Sequence, residues 1–274
     1  RPSRTAFWGH GANLQSDRPD GLKEQFKRWT PRRADWWFAY TELSRNIVAQ
    51  GGYPGERITV LDNAIDNDGF AADLADVSPQ RLSMLREQIG AAPDAPIGLY
   101  CGSLYPDKRL DLLIEAGDLI HRTRPAFRLV VVGDGPSRGF ITEAARARPW
   151  LHWAGMQRGA DKAAWFRLAD GYLSPGAVGL HVLDAFCAGL PMITTEDAAH
   201  GPEIAYLEPG RNGFVVASQA RDFARTYLAL LDDPQHREEV RSAAQADARR
   251  YTHRNMVERF AGGIEECPDA PRLA

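Results

Sequence analysis

The stretch 172–204 restricts the possible folds more than any other part of the chain. Its short apolar run, Tyr172-Leu173, stops at Ser174-Pro175-Gly176, where the backbone must turn. Val178, Val182, Leu183 and Phe186 then recur at helical spacing and predict a helix over 178–188. Gly189 and Pro191 stop that helix, and Met192-Ile193-Thr194-Thr195 reads as the next strand. Strand, glycine turn, helix and strand make a parallel unit whose helix N-terminus points into the crevice at the strand ends. Free backbone N–H groups and the helix dipole favour an anion there, such as a phosphate.

The same alternation recurs along the 274-residue chain. Residues 5–10 read as a strand ending at Gly9-His10-Gly11, and a helical stretch follows at 21–34. Residues 36–40 read as a buried strand, Thr41 caps a helix over 42–50, and 58–61 is a third strand. Three strands are too few for a complete domain of this kind. Residues 1–66 are therefore expected to be part of a Rossmann-like domain whose earlier strands lie upstream of Arg1. The polar cluster 63–69 reads as a linker, and a helix over 70–90 follows it. Strands then fall near 96–101, 127–132, 150–153, 170–173, 192–195 and 213–216, with helices near 108–122, 137–148, 161–169 and 178–188 between them. The expected fold is α/β: a complete, doubly wound, Rossmann-like sheet over 67–250 beside the partial N-terminal one. The last helix and tail, 251–274, are expected to pack back across the junction.

Composition narrows the function. At 44% hydrophobic and 25% charged the chain reads as an ordinary globular protein, and its net charge of −3 gives no general attraction to nucleic acid. No apolar run approaches the ~20 residues that span a bilayer. Cys101, Cys187 and Cys267 are widely spaced, without zinc-like pairing, which points to a reduced, cytoplasmic setting and to no metal site. Phe26, Lys27, Arg28, Trp29, Arg32, Arg33, Trp36 and Trp37 interleave basic and aromatic residues. They read as a strand core beside a solvated helix face. The rival reading is a peripheral contact through 26–37 with the inner face of an anionic membrane or a lipid-linked acceptor.

Gly133-Asp134-Gly135-Pro136 follows one strand and opens a helix, as a dinucleotide fingerprint does. The next glycine is Gly139, one residue too late, and the following strand ends in Trp153-Ala154-Gly155 with no acid to hold a ribose. A redox nicotinamide site is not expected on those grounds, and the run reads as architecture, with Asp134 capping the helix and Pro136 starting it. Lys108, in Gly102-Ser103-Leu104-Tyr105-Pro106-Asp107-Lys108, stands at the mouth of a strand-to-helix loop, where it can place a point charge on a phosphate.

Gly102-x-Leu104…Lys108, Gly133-Asp134-Gly135-Pro136, Gly179-Leu180…Asp184-Ala185…Gly189-Leu190-Pro191, Pro202-Glu203-Ile204 and Asn212-Gly213 stand in a recognisable order and spacing. Together they resemble the large retaining glycosyltransferase family of the GT-B fold, which includes bacterial mannosyl- and glucosyltransferases of polysaccharide synthesis. Asn63-Ala64-Ile65-Asp66…Phe70 is similar to the family's interdomain segment. The resemblance is dense over 58–216 and loose over 1–57. It implies a nucleotide-diphosphate sugar as donor substrate, no separate cofactor, and a glycan, lipid-linked or small-molecule acceptor. It places the donor at Gly102, Ser103, Lys108, Gly133, Met156, Gly176, Val178, Gly179, Leu180 and Asp184. Lys108 matches the family's phosphate lysine, and Asp184 its ribose-binding acid. Ser103 stands where the family has an arginine, and Gly176 where it has the first of two acids. His10 matches a histidine that faces the sugar, although a lone histidine after a strand also serves structure. Met156 lies where the family contacts the base.

The reaction so implied is sugar transfer with retention of anomeric configuration. Lys108 and the N–H groups of Val178 to Leu180 would stabilise charge growing on the leaving diphosphate. Two rivals remain at this level: a nucleotide-sugar epimerase of the same architecture, and a non-catalytic nucleotide-sugar-binding module.

Overall fold

Short apolar strands separated by helices have no hairpin partners, so they pair in parallel through crossovers. The computed structural model describes residues 3–11 and 34–268. The helix expected at 21–34, and the basic and aromatic residues of 26–33, lie outside the described residues. The described strands form two separate parallel sheets. The first joins β1 (Ala6–Gly9), β2 (Trp36–Ala39) and β3 (Ile58–Val60) in that order. The second has six strands: β4 (Ile97–Cys101), β5 (Arg128–Val132), β6 (Leu151–Gly155), β7 (Gly171–Leu173), β8 (Met192–Thr195) and β9 (Gly213–Val216). Their spatial order is β6-β5-β4-β7-β8-β9, which is the doubly wound arrangement.

Strand periodicity divides the core of the second sheet. Leu99, Val130 and Val132 point to one face, whereas Tyr100, Leu129 and Val131 point to the other. Both faces are covered, so these strands are apolar on both sides. One face carries α2 (Asn67–Ala75), α6 (Gly159–Leu168), α7 (His181–Ala188) and α9 (Pro234–Ala248). The other carries α4 (Leu110–Thr123) and α8 (Ala220–Asp232). Leu110, Leu113, Ile114 and Gly117 form the buried stripe of α4 that their spacing predicts. The remaining helices are α1 (Glu42–Gln50), α3 (Pro79–Gln88), α5 (Arg138–Arg146) and α10 (His253–Glu266).

The first sheet is built by the same alternation. Trp37 and Ala39 pack with Val48 of α1 on one face. Trp36 and Phe38 meet Leu61, Cys267 and Phe260 of α10 on the other, with the Phe38 and Phe260 rings 4.5 Å apart. Trp36 and Trp37 are only 4% and 6% exposed, so they are sheet core and offer no surface to a membrane. No helix among the described residues is long and apolar enough to cross one.

Three predicted elements differ in the structure. The helix expected over 70–90 is two, α2 and α3, broken before Ser78. The Ser78 hydroxyl caps α3 by accepting from the Arg81 N–H, and Pro79 opens it. The polar run 63–69 is not all linker, because Asp66 caps α2 and the helix begins at Asn67. The helix expected over 178–188 begins at His181. Hydrogen bonds from neighbouring loops hold residues 177 and 178 in an irregular turn, as set out below.

Candidate functional site

In an open parallel sheet, a crevice forms at the strand C-termini where the winding direction reverses. Here that point lies between β4 and β7. The loops after β4 and β7 are the two that carry Gly102 to Lys108 and Ser174 to Leu180. The first sheet presents its own C-terminal end to the same region, since α1, which follows β2, touches the 3₁₀ turn Pro202–Tyr206, which follows β8. Asn63 Nδ2 donates to Glu203 Oε1 at 3.1 Å across that contact.

The loops lock together through their backbones. Leu104 N–H donates to Asp134 O, and Ser137 N–H to Leu104 O. Gly133 sits at φ +139°, and a Cβ there would lie 1.9 Å from the Gly102 carbonyl oxygen, so only glycine allows the two loops to meet. Asp134 does not cap α5 as expected. Its Oδ1 accepts from the Gly135 N–H at 2.8 Å, and the helix starts later, at Arg138.

A cavity of about 270 Å³ opens between these loops. It brings together Gly102, Ser103, Gly133, Met156 and Asp184, five of the residues singled out from sequence, with Lys162 and His181, which were not. Asp184 is 7% exposed, and Lys162 Nζ donates to its Oδ1 at 2.6 Å. Burial pushes the Asp184 carboxyl above its ordinary value, and the lysine beside it works in the opposite direction. Lys162 is itself held over the rings of Phe70, at 4.7 Å, and Phe166, at 5.6 Å. Burial, then the charges of Lys108, His200 and Lys162, pushes the His181 pKa down to about 3, so its ring is neutral. His181 Nε2 lies 3.3 Å from Ser174 Oγ.

Lys108 does not line this cavity. It ends the 3₁₀ turn Pro106–Lys108, and its ammonium donates to the Ala177 carbonyl at 2.7 Å, 3.6 Å from the Asp107 carboxylate. The Ala177 N–H donates back to Asp107 O at 3.0 Å, so the two loops at the switch point are tied twice. Gly176 lies at this tie. A Cβ on it would stand 2.3 Å from Asp107 O and from Cα and C of Lys108. The residue is therefore glycine for close approach, and the carboxylate expected there by resemblance has no room.

The Val178 N–H is not free for a diphosphate either. It donates to His200 Nδ1 at 3.1 Å, while His200 Nε2 lies 2.7 Å from Thr195 O. That pairing requires the tautomer with its proton on Nε2, donating to Thr195 O and accepting at Nδ1. Burial lowers the His200 pKa, in keeping with a neutral ring. The N–H groups of Gly179 and Leu180 donate to no partner among the described residues. His10 stands apart from the cavity, exposed at the end of β1, with its ring edge-on to Tyr40 at 4.4 Å. Among the described residues, no cluster of three or more His, Cys, Asp or Glu could hold a metal ion.

Lys162 and His200 were missed because each reads as an ordinary polar residue in its own segment. One signal for Lys162 was present: Asp184 lies in an apolar helix stripe beside Leu183 and Phe186, and a buried carboxylate needs a cation. Which cation supplies it is a tertiary matter.

Comparisons with known proteins agree with this geometry. HepE of Anabaena, solved in complex with UDP, superposes with a TM-score of 0.75 at 21% identity, over 95% of this chain and 72% of that one. It shares the two-sheet GT-B architecture. The sulfoquinovosyl transferase SQD2 of Arabidopsis thaliana is 22% identical over 218 residues, 77% of this chain and 40% of that protein. A D-inositol 3-phosphate glycosyltransferase of Streptomyces avermitilis is 30% identical over 229 residues, 75% of this chain and 44% of that protein. The chain thus spans less than half the length of these two relatives. The family described as glycosyl transferases group 1 matches residues 95–233, just over half of the chain and the whole span from β4 to α8 that builds the cavity. By that match and the fold around it, the chain belongs to the group 1 glycosyltransferases.

Proposed function

We propose that the chain carries the donor side of a retaining hexosyltransferase. It would take a sugar from a nucleotide-diphosphate sugar and pass it to a glycan, lipid-linked or small-molecule acceptor. The observation that carries this reading is the cavity at the switch point, walled by Gly102, Gly133, Met156 and the Asp184–Lys162 pair. Residues 67–250 act as the donor-binding unit, residues 1–66 belong to the acceptor side, and α10 spans the two.

The chemistry follows from charge. As the sugar leaves, negative charge grows on the diphosphate. Lys108 and the unpartnered N–H groups of Gly179 and Leu180, which stand outside the lining of the cavity, would receive it. To do so Lys108 must exchange the Ala177 carbonyl for a phosphate oxygen, a rotation that four methylene torsions permit. With no room for a carboxylate at 176, the leaving phosphate itself takes the acceptor's proton, and the reading assigns neither a metal nor a cofactor. HepE, which was also solved with UDP-glucose, supports a uridine donor as the first to try.

Calorimetry of the chain with UDP, GDP and ADP and their glucose and mannose esters tests this. At least one diphosphate should bind more tightly than its nucleoside. Failure of all of them to bind would overturn the reading. Proton NMR of the product formed with an acceptor glycan would then show whether the anomeric configuration is kept.

A further inference from the structure

The loop 175–178, which leads from β7 into α7, is tied along its length. All four of its carbonyls accept hydrogen bonds. Pro175 O accepts from the Thr195 hydroxyl and Gly176 O from the Thr194 hydroxyl, the latter at 3.4 Å. Ala177 O accepts from Lys108 Nζ, and Val178 O from the Gly201 N–H at 2.7 Å. The Ala177 N–H goes to Asp107 O and the Val178 N–H to His200 Nδ1. Beyond this run the N–H groups of Gly179 and Leu180 stay open among the described residues.

His200 supplies the last side-chain tie before those open groups. Its ring joins the Val178 N–H, through Nδ1 at 3.1 Å, to the Thr195 carbonyl at the end of β8, through Nε2 at 2.7 Å. Imidazole has no torsion between its two nitrogens, so the ring is a strut of fixed length between a strand end and the loop. Gly201, next in sequence, holds the Val178 carbonyl. Both polar groups of Val178 are thus gripped by one segment. The peptide bond is planar and trans, so fixing the Val178 carbonyl also fixes the Gly179 N–H, which points the opposite way. An N–H group that is already aimed stabilises growing negative charge without reorganising first. We propose that His200 is a positioning residue for sugar transfer: acting through Val178, it aims the Gly179 and Leu180 N–H groups at the leaving diphosphate. This rests on the nucleotide-sugar reading above, and His200 itself contacts no donor atom.

The test compares a diphosphate with its nucleoside, UDP with uridine or whichever pair binds in the screen above, in three proteins. They are the wild-type chain, His200→Phe, which keeps a ring but neither hydrogen bond, and His200→Gln, whose amide carries one acceptor and one donor. A thermal melt confirms folding. Calorimetry gives the affinities, and amide exchange followed by NMR reports on the loop. In free wild type the Val178 amide should exchange slowly and those of Gly179 and Leu180 fast, and UDP but not uridine should slow the latter two. In His200→Phe, UDP affinity should fall about tenfold or more, the range for a hydrogen bond to a charged group, and uridine affinity less than about twofold. His200→Gln should return UDP affinity to within about threefold of wild type. A folded His200→Phe whose UDP-to-uridine ratio stays within about twofold of wild type overturns the positioning role while leaving donor binding intact. So does a glutamine variant that does no better than phenylalanine. Should His200→Phe fail to fold, a Val178 amide that exchanges as fast as that of Gly179 in free wild type overturns the role by itself. UDP that binds wild type without slowing Gly179 and Leu180 removes the diphosphate from this loop, and His200 with it. Absence of binding of every diphosphate overturns the nucleotide reading as a whole.

Discussion

Gly176→Ala probes how the crevice is held together. The added Cβ would lie 2.3 Å from the Asp107 carbonyl oxygen and from Cα and C of Lys108, whereas ordinary contact begins near 3.4 Å. The two loops must therefore part by about 1.1 Å, the difference between those distances. Such a shift stretches the Ala177 N–H to Asp107 O bond from 3.0 Å, and the Lys108 Nζ to Ala177 O bond from 2.7 Å, beyond bonding range. Losing the neutral bond costs about 0.5–1.5 kcal/mol and the charged one about 1.5–3, so the variant should lose roughly 2–4.5 kcal/mol of stability. Denaturant unfolding measures the loss. Because Lys108 is displaced as well, calorimetry should show UDP binding weakened more than uridine binding. A stability change under about 0.5 kcal/mol with unchanged UDP affinity would refute the claim that close approach dictates glycine here. Gly176→Glu should fare worse than alanine. It carries the same Cβ and adds a carboxylate beside that of Asp107.

Lys108→Ala should weaken UDP binding by about 1.5–3 kcal/mol and uridine binding far less; equal losses, read by calorimetry, would reduce the lysine to a loop tie. Asp184→Asn keeps the shape but removes the charged acceptor, and should weaken UDP binding by about 1–3 kcal/mol, with unchanged affinity removing α7 from the donor site. His181 has its folded pKa lowered to about 3 from an ordinary 6.5, so the stability it contributes is present above pH 6.5 and lost as pH falls towards 3. About 2 kcal/mol should have gone by pH 5, and His181→Asn should show a correspondingly flatter stability profile between pH 6.5 and 5 in chemical denaturation. Asp62, buried at a φ of +51°, accepts from both Arg250 and Arg259 where the first sheet meets the C-terminal helices. Asp62→Asn tolerates that backbone and isolates the charge, so it should lower stability by about 1–3 kcal/mol; a melt unchanged from wild type would show the pair to be idle.

Much of this was legible in one dimension because it depends on periodicity. Apolar runs at strand spacing, helical stripes such as Leu110-Leu113-Ile114-Gly117, and turn residues such as Ser174-Pro175-Gly176 specify a doubly wound sheet through local rules. Spacing along the chain also located the loops after β4, β5 and β7, since strand C-termini in such a sheet are where the crevice must lie. The residues of those loops were therefore named before their neighbours were known.

What only the tertiary structure decided is how those loops are occupied by one another. Gly176 reads locally as a turn glycine, yet its reason is the backbone of Asp107 and Lys108, nearly seventy residues earlier in the chain. The helix begins at His181 and not at 178, and the Val178 N–H goes to His200, supplied by the segment after β8. Lys162 reads as a solvated helix charge until Asp184, Phe70 and Phe166 converge on it from three other places in the sequence or helix. Hydrogen bonds and ion pairs act over about 3 Å, and no pattern along a single segment encodes which distant group will stand that close. The sequence by itself determined the sheet, its winding and the loops at its switch point. The folded chain alone determined which donors and acceptors in those loops remain for a ligand, because each is counted only after its neighbours in space have taken theirs.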